Sequence, residues 1–152
     1  MKKRKLSPTL LFLLTFFIGM LLSYIFPWNI THYLNDSIVY FLGLIILSIS
    51  FLFNIFAYRE FKKALTPYEP FVRPKVLIIN GIFTVSRNPV YLALIFSEFG
   101  LAFVFDSIWI HVTAFILWLV LDILIVRDEE KMLYRTFKNE YIDYRKTTRR
   151  WI

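Results

Sequence analysis

Four apolar blocks, separated by short polar or basic segments, set the pattern of the chain. The first runs from Leu10 to Trp28 and is broken only by Thr15, Gly19, Ser23 and Pro27. The second runs from Ile38 to Tyr58, with Ser48, Ser50 and Asn54 as its polar members. The third begins at Pro89, ends near Phe105 and contains Glu98; the fourth runs from Ile108 to Val126. A membrane-spanning helix needs about 20 mostly apolar residues, with a range of about 17–25. Blocks one, two and four meet that length. Block three is at the short limit and is read as spanning, with a buried or re-entrant helix as the alternative. Block one follows the basic run Lys2-Lys3-Arg4-Lys5. It is long for a signal peptide and lacks a small-residue cleavage site, so it reads as an uncleaved anchor.

The pattern therefore predicts an all-α integral membrane protein with four transmembrane helices. The last two form a helical hairpin about Asp106-Ser107, the only polar interruption between them. Pro89 suits the first turn of the third helix and Asp106 the N-cap of the fourth. After Val126, Leu133, Phe137, Tyr141 and Tyr144 recur at three- and four-residue steps. This spacing predicts a cytoplasmic C-terminal amphipathic helix with an aromatic stripe. The stripe suits packing on the bundle or the membrane surface, or the wall of a cofactor pocket. Between the second and third blocks, Pro67, Pro70 and Pro74 exclude a helix, Val76 to Ile79 is a short extended apolar run, and Asn80-Gly81 marks a turn. A loop of this length is uncommon unless it is functional.

Charge fixes the orientation of the blocks. All 18 Lys and Arg fall before block one, between blocks two and three, or after block four. The two other connections carry only Asp36 and Asp106 as charged residues. By the positive-inside rule both termini and the loop from Arg59 to Asn88 face the cytoplasm. A multi-pass protein of the plasma membrane is expected. Its basic flanks suit anionic headgroups rather than nucleic acid. Composition agrees: 58% of residues are apolar and 19% charged, with a net charge of +7. Soluble domains run about 45–50% apolar and about 25% charged.

Several chemistries are excluded. The chain has no Cys, and its two His, His32 and His111, are far apart in sequence. Disulfides, thiolate nucleophiles, Cys-bound zinc and a His-rich metal cluster are therefore ruled out. No phosphate loop, Gly-rich dinucleotide turn or nucleophile elbow is present. Glu98 lies about 12 Å below the hairpin turn by helix rise. A carboxylate at that depth is a functional-site candidate by default, with Ser97, Asn54 or Ser50 as expected partners. Folding the hairpin about Asp106-Ser107 puts Tyr91 level with Asp122, Arg87 with Val126 and Thr84 with Glu129. Arg87, Tyr91, Asp122, Glu129 and Glu130 are thus expected to cluster at its cytoplasmic edge.

At these residues the chain resembles the isoprenylcysteine carboxyl methyltransferase and phospholipid methyltransferase group of membrane enzymes. Ser86-Arg87-Asn88-Pro89-Val90-Tyr91-Leu92, a hairpin and Glu129-Glu130 are similar to that group's Arg-His-Pro-x-Tyr-x-Gly, hairpin and Glu-Glu. Asn80-Gly81-Ile82-Phe83, Leu133, Phe137, Glu140-Tyr141, Tyr144 and the closing Arg149-Arg150-Trp151 resemble its flanking elements. Asn88 stands in place of His, and Ala93 and Lys138 stand where Gly is usual. The resemblance covers roughly Thr66 to Ile152. It implies a two-helix membrane anchor over residues 1–58 and a methyltransferase-like core over residues 59–152.

The resemblance also implies S-adenosylmethionine as cofactor and methyl transfer to a lipophilic acceptor entering from the bilayer. By the resemblance that acceptor is isoprenylcysteine carboxylate-like or a lipid headgroup, and a quinol and a small thiol are also compatible with a bilayer-open pocket. By the same resemblance Arg87 and Glu130 are the catalytic candidates. Asn88, Pro89, Tyr91, Glu129, Glu130, Tyr141 and Tyr144 are the cofactor-binding candidates, and no metal is called for. Two rivals remain at this level: an NADPH-dependent membrane reductase of the sterol-reductase type, and a non-catalytic membrane protein that retains the hairpin.

Overall fold

The computed structural model describes residues 7–31, 35–68, 72 and 74–152. Lys2 to Lys5, His32, Pro70 and Arg73, on which parts of the charge, metal and loop readings rest, lie outside them. The described residues are helical and contain no strand.

Helix α1 spans Pro8–Ile25 and α2 spans Asp36–Lys63. The second helix thus outruns its apolar block by more than a turn, and Arg59, Lys62 and Lys63 belong to its end. Those cations suit the negative pole of a helix C-terminus. Asn35 caps the other end, accepting from the Ser37 amide at 3.0 Å. A short 3₁₀ turn, Gly81–Thr84, follows the central loop. Gly81 sits at φ +60°, a conformation in which Gly carries no Cβ penalty.

Helix α3, Pro89–Val104, starts at the proline, as its missing N–H allows. Helix α4, Ile108–Leu121, continues through a π turn, Asp122–Val126, into α5, Arg127–Phe137. The expected single C-terminal helix is in fact divided. It breaks at Lys138, and α6 spans Asn139–Thr147.

Among the described residues, three helices are long and apolar enough to cross a membrane: α1, α2 and the continuous Ile108–Phe137 rod. Helix α3 is apolar but only 16 residues long. Most side chains of α1 and α2 face outward, as lipid-facing helices require. Helix α2 packs along α3, and α1 along α4. The α2–α3 approach depends on two glycines. A Cβ on Gly43 would lie 2.9 Å from the Gly100 carbonyl oxygen and from the Val104 amide nitrogen. Small residues allow such close packing where no hydrophobic force drives helices together in lipid.

The turn between α3 and α4 differs from expectation. Ser107, not Asp106, caps α4, accepting from the Ile110 amide at 3.2 Å. Asp106 instead takes a left-handed conformation at φ 48°. Its carboxylate collects the amides of Ile30 (2.8 Å) and Thr31 (2.9 Å) and the side chains of Asn29 and Thr31. Partial burial opposes its charge, but these donors outweigh burial and hold its pKa below the usual carboxylate value. The donors lie one connection away, in the chain that follows α1. Capping and latching are therefore divided between adjacent residues.

Candidate active site

Glu130 on α5 is the centre of a buried ionic network. One carboxylate oxygen accepts from Arg87 Nη2 and the other from Arg150 Nη2, both at 2.6 Å. Arg150 reaches on through Nη1 to Asp122 at 3.0 Å, and Asp122 also takes Arg127 Nε at 3.1 Å. Trp151 Nε1 donates to the same Asp122 at 3.3 Å. The side chains of Arg87 and Glu130 are 9% and 11% exposed, so water does little to screen this pair. Its hydrogen bond to Glu130 is the main reason that the Arg150 pKa is raised further.

Residues 148–151 lie along this network as a strap. The Arg87 amide donates to the Arg149 carbonyl at 3.1 Å, and Arg87 Nη1 to the Thr148 carbonyl at 2.8 Å. The Arg150 carbonyl accepts from Ser86 Oγ (3.2 Å) and from Asn88 Nδ2 (3.1 Å). Ser86 Oγ also accepts the Asn88 amide at 3.1 Å. Pro89 starts α3 directly after these contacts, so the strap holds Ser86-Arg87-Asn88 across the N-terminal end of that helix.

Two residues further on, Tyr91 donates to Glu129 Oε1 at 2.8 Å. Both residues line a cavity of about 370 Å³ between the start of α3, the central loop, α5 and the N-terminal end of α1. Small-molecule sites run about 300–1,000 Å³. Arg87, Asn88, Pro89 and Tyr144 share this lining, with Asn54, Thr66 and Tyr68 opposite and Phe61, Leu77 and Phe83 as apolar surface. Two lining residues carry buried donors with no partner among the described residues, Thr66 Oγ1 and Arg87 Nε. These donors suit acceptor groups, and the Glu129 carboxylate and the aromatic faces suit a cation, on a ligand with an apolar body.

Glu130 and Tyr141 do not line the cavity. Glu130 is saturated by its two arginines. Tyr141 is buried with Ala57, Leu77, Phe83 and Tyr144. Burial, then the Glu130 charge, pushes its hydroxyl up to about 12. Burial also raises Tyr144, whose hydroxyl donates to the Phe83 carbonyl at 2.6 Å. The aromatic stripe thus packs on the bundle, and Leu133 and Tyr144 also face the cavity.

Glu98 is fully buried but lies apart from this site. Its expected partners are engaged elsewhere. Ser50 bonds Ser97 and the Ala93 carbonyl, and Asn54 accepts from Tyr68. Thr15 of α1 donates to Glu98 at 2.8 Å instead. The residues that sequence reasoning left out are Arg150, Ser86 and Thr66. An arginine in the Arg-Arg-Trp ending and a serine beside Arg87 were the available signals.

Residues 38–140, more than half of the chain, match the phospholipid methyltransferase family. The chain belongs to that family. It is thus a multi-pass membrane protein of a methyltransferase family. No curated protein and no solved structure matches it.

Proposed function

We propose that the chain is an S-adenosylmethionine-dependent methyltransferase of the plasma membrane, acting on a lipophilic acceptor such as a lipid headgroup or an isoprenylcysteine carboxylate. The observation that carries this reading is the cavity that gathers Arg87, Asn88, Pro89, Tyr91, Glu129 and Tyr144 at the head of the hairpin. When bound, S-adenosylmethionine supplies an electrophilic methyl group on a sulfonium. The chain's part is to align two reactants and exclude water. Glu129 and the Tyr91 and Tyr144 rings offer the negative charge and aromatic faces that a cation favours. The free Nε of Arg87 and the Thr66 hydroxyl offer donors for acidic or hydroxyl groups. Glu130 acts from behind, by fixing the Arg87 guanidinium. Both termini and the central loop are assigned to the cytoplasm on the distribution of basic residues.

Calorimetry on purified protein tests the reading. S-adenosylmethionine or S-adenosylhomocysteine is expected to bind and NADPH is not; the reverse would select a reductase. Arg87→Ala removes a buried charge partner and is expected to weaken cofactor binding at least tenfold, about 1.4 kcal/mol. Full affinity in that variant would overturn the site assignment. Incubation with radiolabelled cofactor and host membranes would then identify the acceptor.

A further inference from the structure

We infer that Arg150 is a positioning residue for the cofactor site, a role that rests on the proposed function. It does not line the cavity, yet two lining residues depend on it. Its guanidinium meets Glu130 at 2.6 Å on the carboxylate oxygen that Arg87 leaves open. Its carbonyl holds the Asn88 side-chain amide at 3.1 Å. One residue thus acts on Arg87 through Glu130 and on Asn88 directly.

The second arm of the guanidinium explains why an arginine is needed. Nη1 reaches Asp122, at the start of the π turn, at 3.0 Å, while Nη2 reaches Glu130 two turns on. A planar fork can bridge two carboxylates in a fixed geometry; an ammonium is a point charge that cannot reproduce it. Without Arg150, Glu130 would balance Arg87 alone, with one buried oxygen unpaired. The carboxylate would then be free to rotate, and the Arg87 guanidinium with it. Trp151, bonded to Asp122, pins the strap beyond this point.

The test is calorimetry with S-adenosylhomocysteine on full-length protein, with thermal unfolding measured without ligand. Arg150→Ala is expected to weaken binding by about 10- to 100-fold, the range seen when outer-shell partners of metal ligands are removed. Arg150→Lys should recover only part of that loss. Millimolar methylguanidinium should restore affinity to Arg150→Ala and not to Arg150→Lys, a response that a loss of general stability would not give. If Arg150→Ala fails to fold, Asp122→Asn serves instead. It keeps both arginines and should weaken binding severalfold. Unchanged affinity in the variant tested, or loss in Arg150→Ala that methylguanidinium does not relieve, overturns the positioning role. Failure of the unmutated protein to bind overturns the proposed function itself.

Discussion

Lys138 joins α5 to α6 with φ at 48° and ψ at −114°. These angles match the first central position of a type II′ turn, where Gly is the favoured residue. A Cβ there costs about 1–3 kcal/mol. Glycine costs about 0.5–1 kcal/mol of extra chain entropy on folding. Relief of strain wins, so Lys138→Gly should raise stability by about 1 kcal/mol. Lys138→Ala keeps the Cβ and should give no comparable gain. Thermal unfolding in detergent distinguishes the two, and equal effects would mean that the side-chain charge matters rather than the backbone. Lys138 was legible as a departure from the resembled pattern. Its strain was not, because φ and ψ depend on how α6 docks. The Tyr91–Glu129 pair shows a similar limit. Rise per residue set Tyr91 level with Asp122, yet it reaches Glu129, about two turns further along the chain. Side chains on helices lean toward the N-terminus. On antiparallel helices the two lean toward each other along the axis, so contacting residues have offset Cα atoms.

The blocks gave the helices well because burial in lipid demands them: Pro89 to about Phe105 became Pro89–Val104, and Leu10 to Trp28 became Pro8–Ile25. Which helices touch is decided by small residues and is harder to see. Gly43 and Gly100 face each other between α2 and α3, and they differ in what a methyl group would meet. At Gly43 it meets backbone atoms of Gly100 and Val104 at 2.9 Å, which cannot move away. At Gly100 its closest contact is the Leu47 side chain at 2.8 Å, which can rotate, and the nearest backbone atom, the Gly43 carbonyl oxygen, stands further off at 3.1 Å. Overpacking costs about 1–3 kcal/mol. Gly43→Ala should therefore destabilise by about 2–3 kcal/mol and Gly100→Ala by about 1 kcal/mol. Denaturant unfolding in mixed micelles checks the order, and a larger loss at Gly100 would sink the backbone-contact argument. The π turn at Asp122–Val126 left no mark in the apolar pattern, because one extra residue per turn does not disturb a helix that is apolar all round.

For the whole molecule, the lack of Cys makes the proposed orientation directly testable. A single cysteine introduced as Lys75→Cys in the central loop should react with an impermeant maleimide only from the cytoplasmic side. Ser37→Cys, at the start of α2, should react only from the other side. Labelling of both from one side would reject the topology. The proposed orientation rests on Lys and Arg placement, since all 18 avoid two of the connections. The ionic network was legible only in part. Arg87, Glu129 and Glu130 stood in adjacent motifs, whereas the Arg150–Glu130 contact joins residues 20 apart across a helix break. No local periodicity reports such a return.

The 16 residues of α3 have a further consequence. A helix of that length rises about 24 Å, and a bilayer's hydrocarbon core is about 30 Å thick. With the Asp106 turn level with one interface, the Asn88–Pro89 end stops about 6 Å short of the other. Such a shortfall is met by local thinning of the bilayer. Thinning lowers the surrounding glycerol and headgroup layer toward the mouth of the cavity. A lipid could then present its polar end without being lifted out of its leaflet.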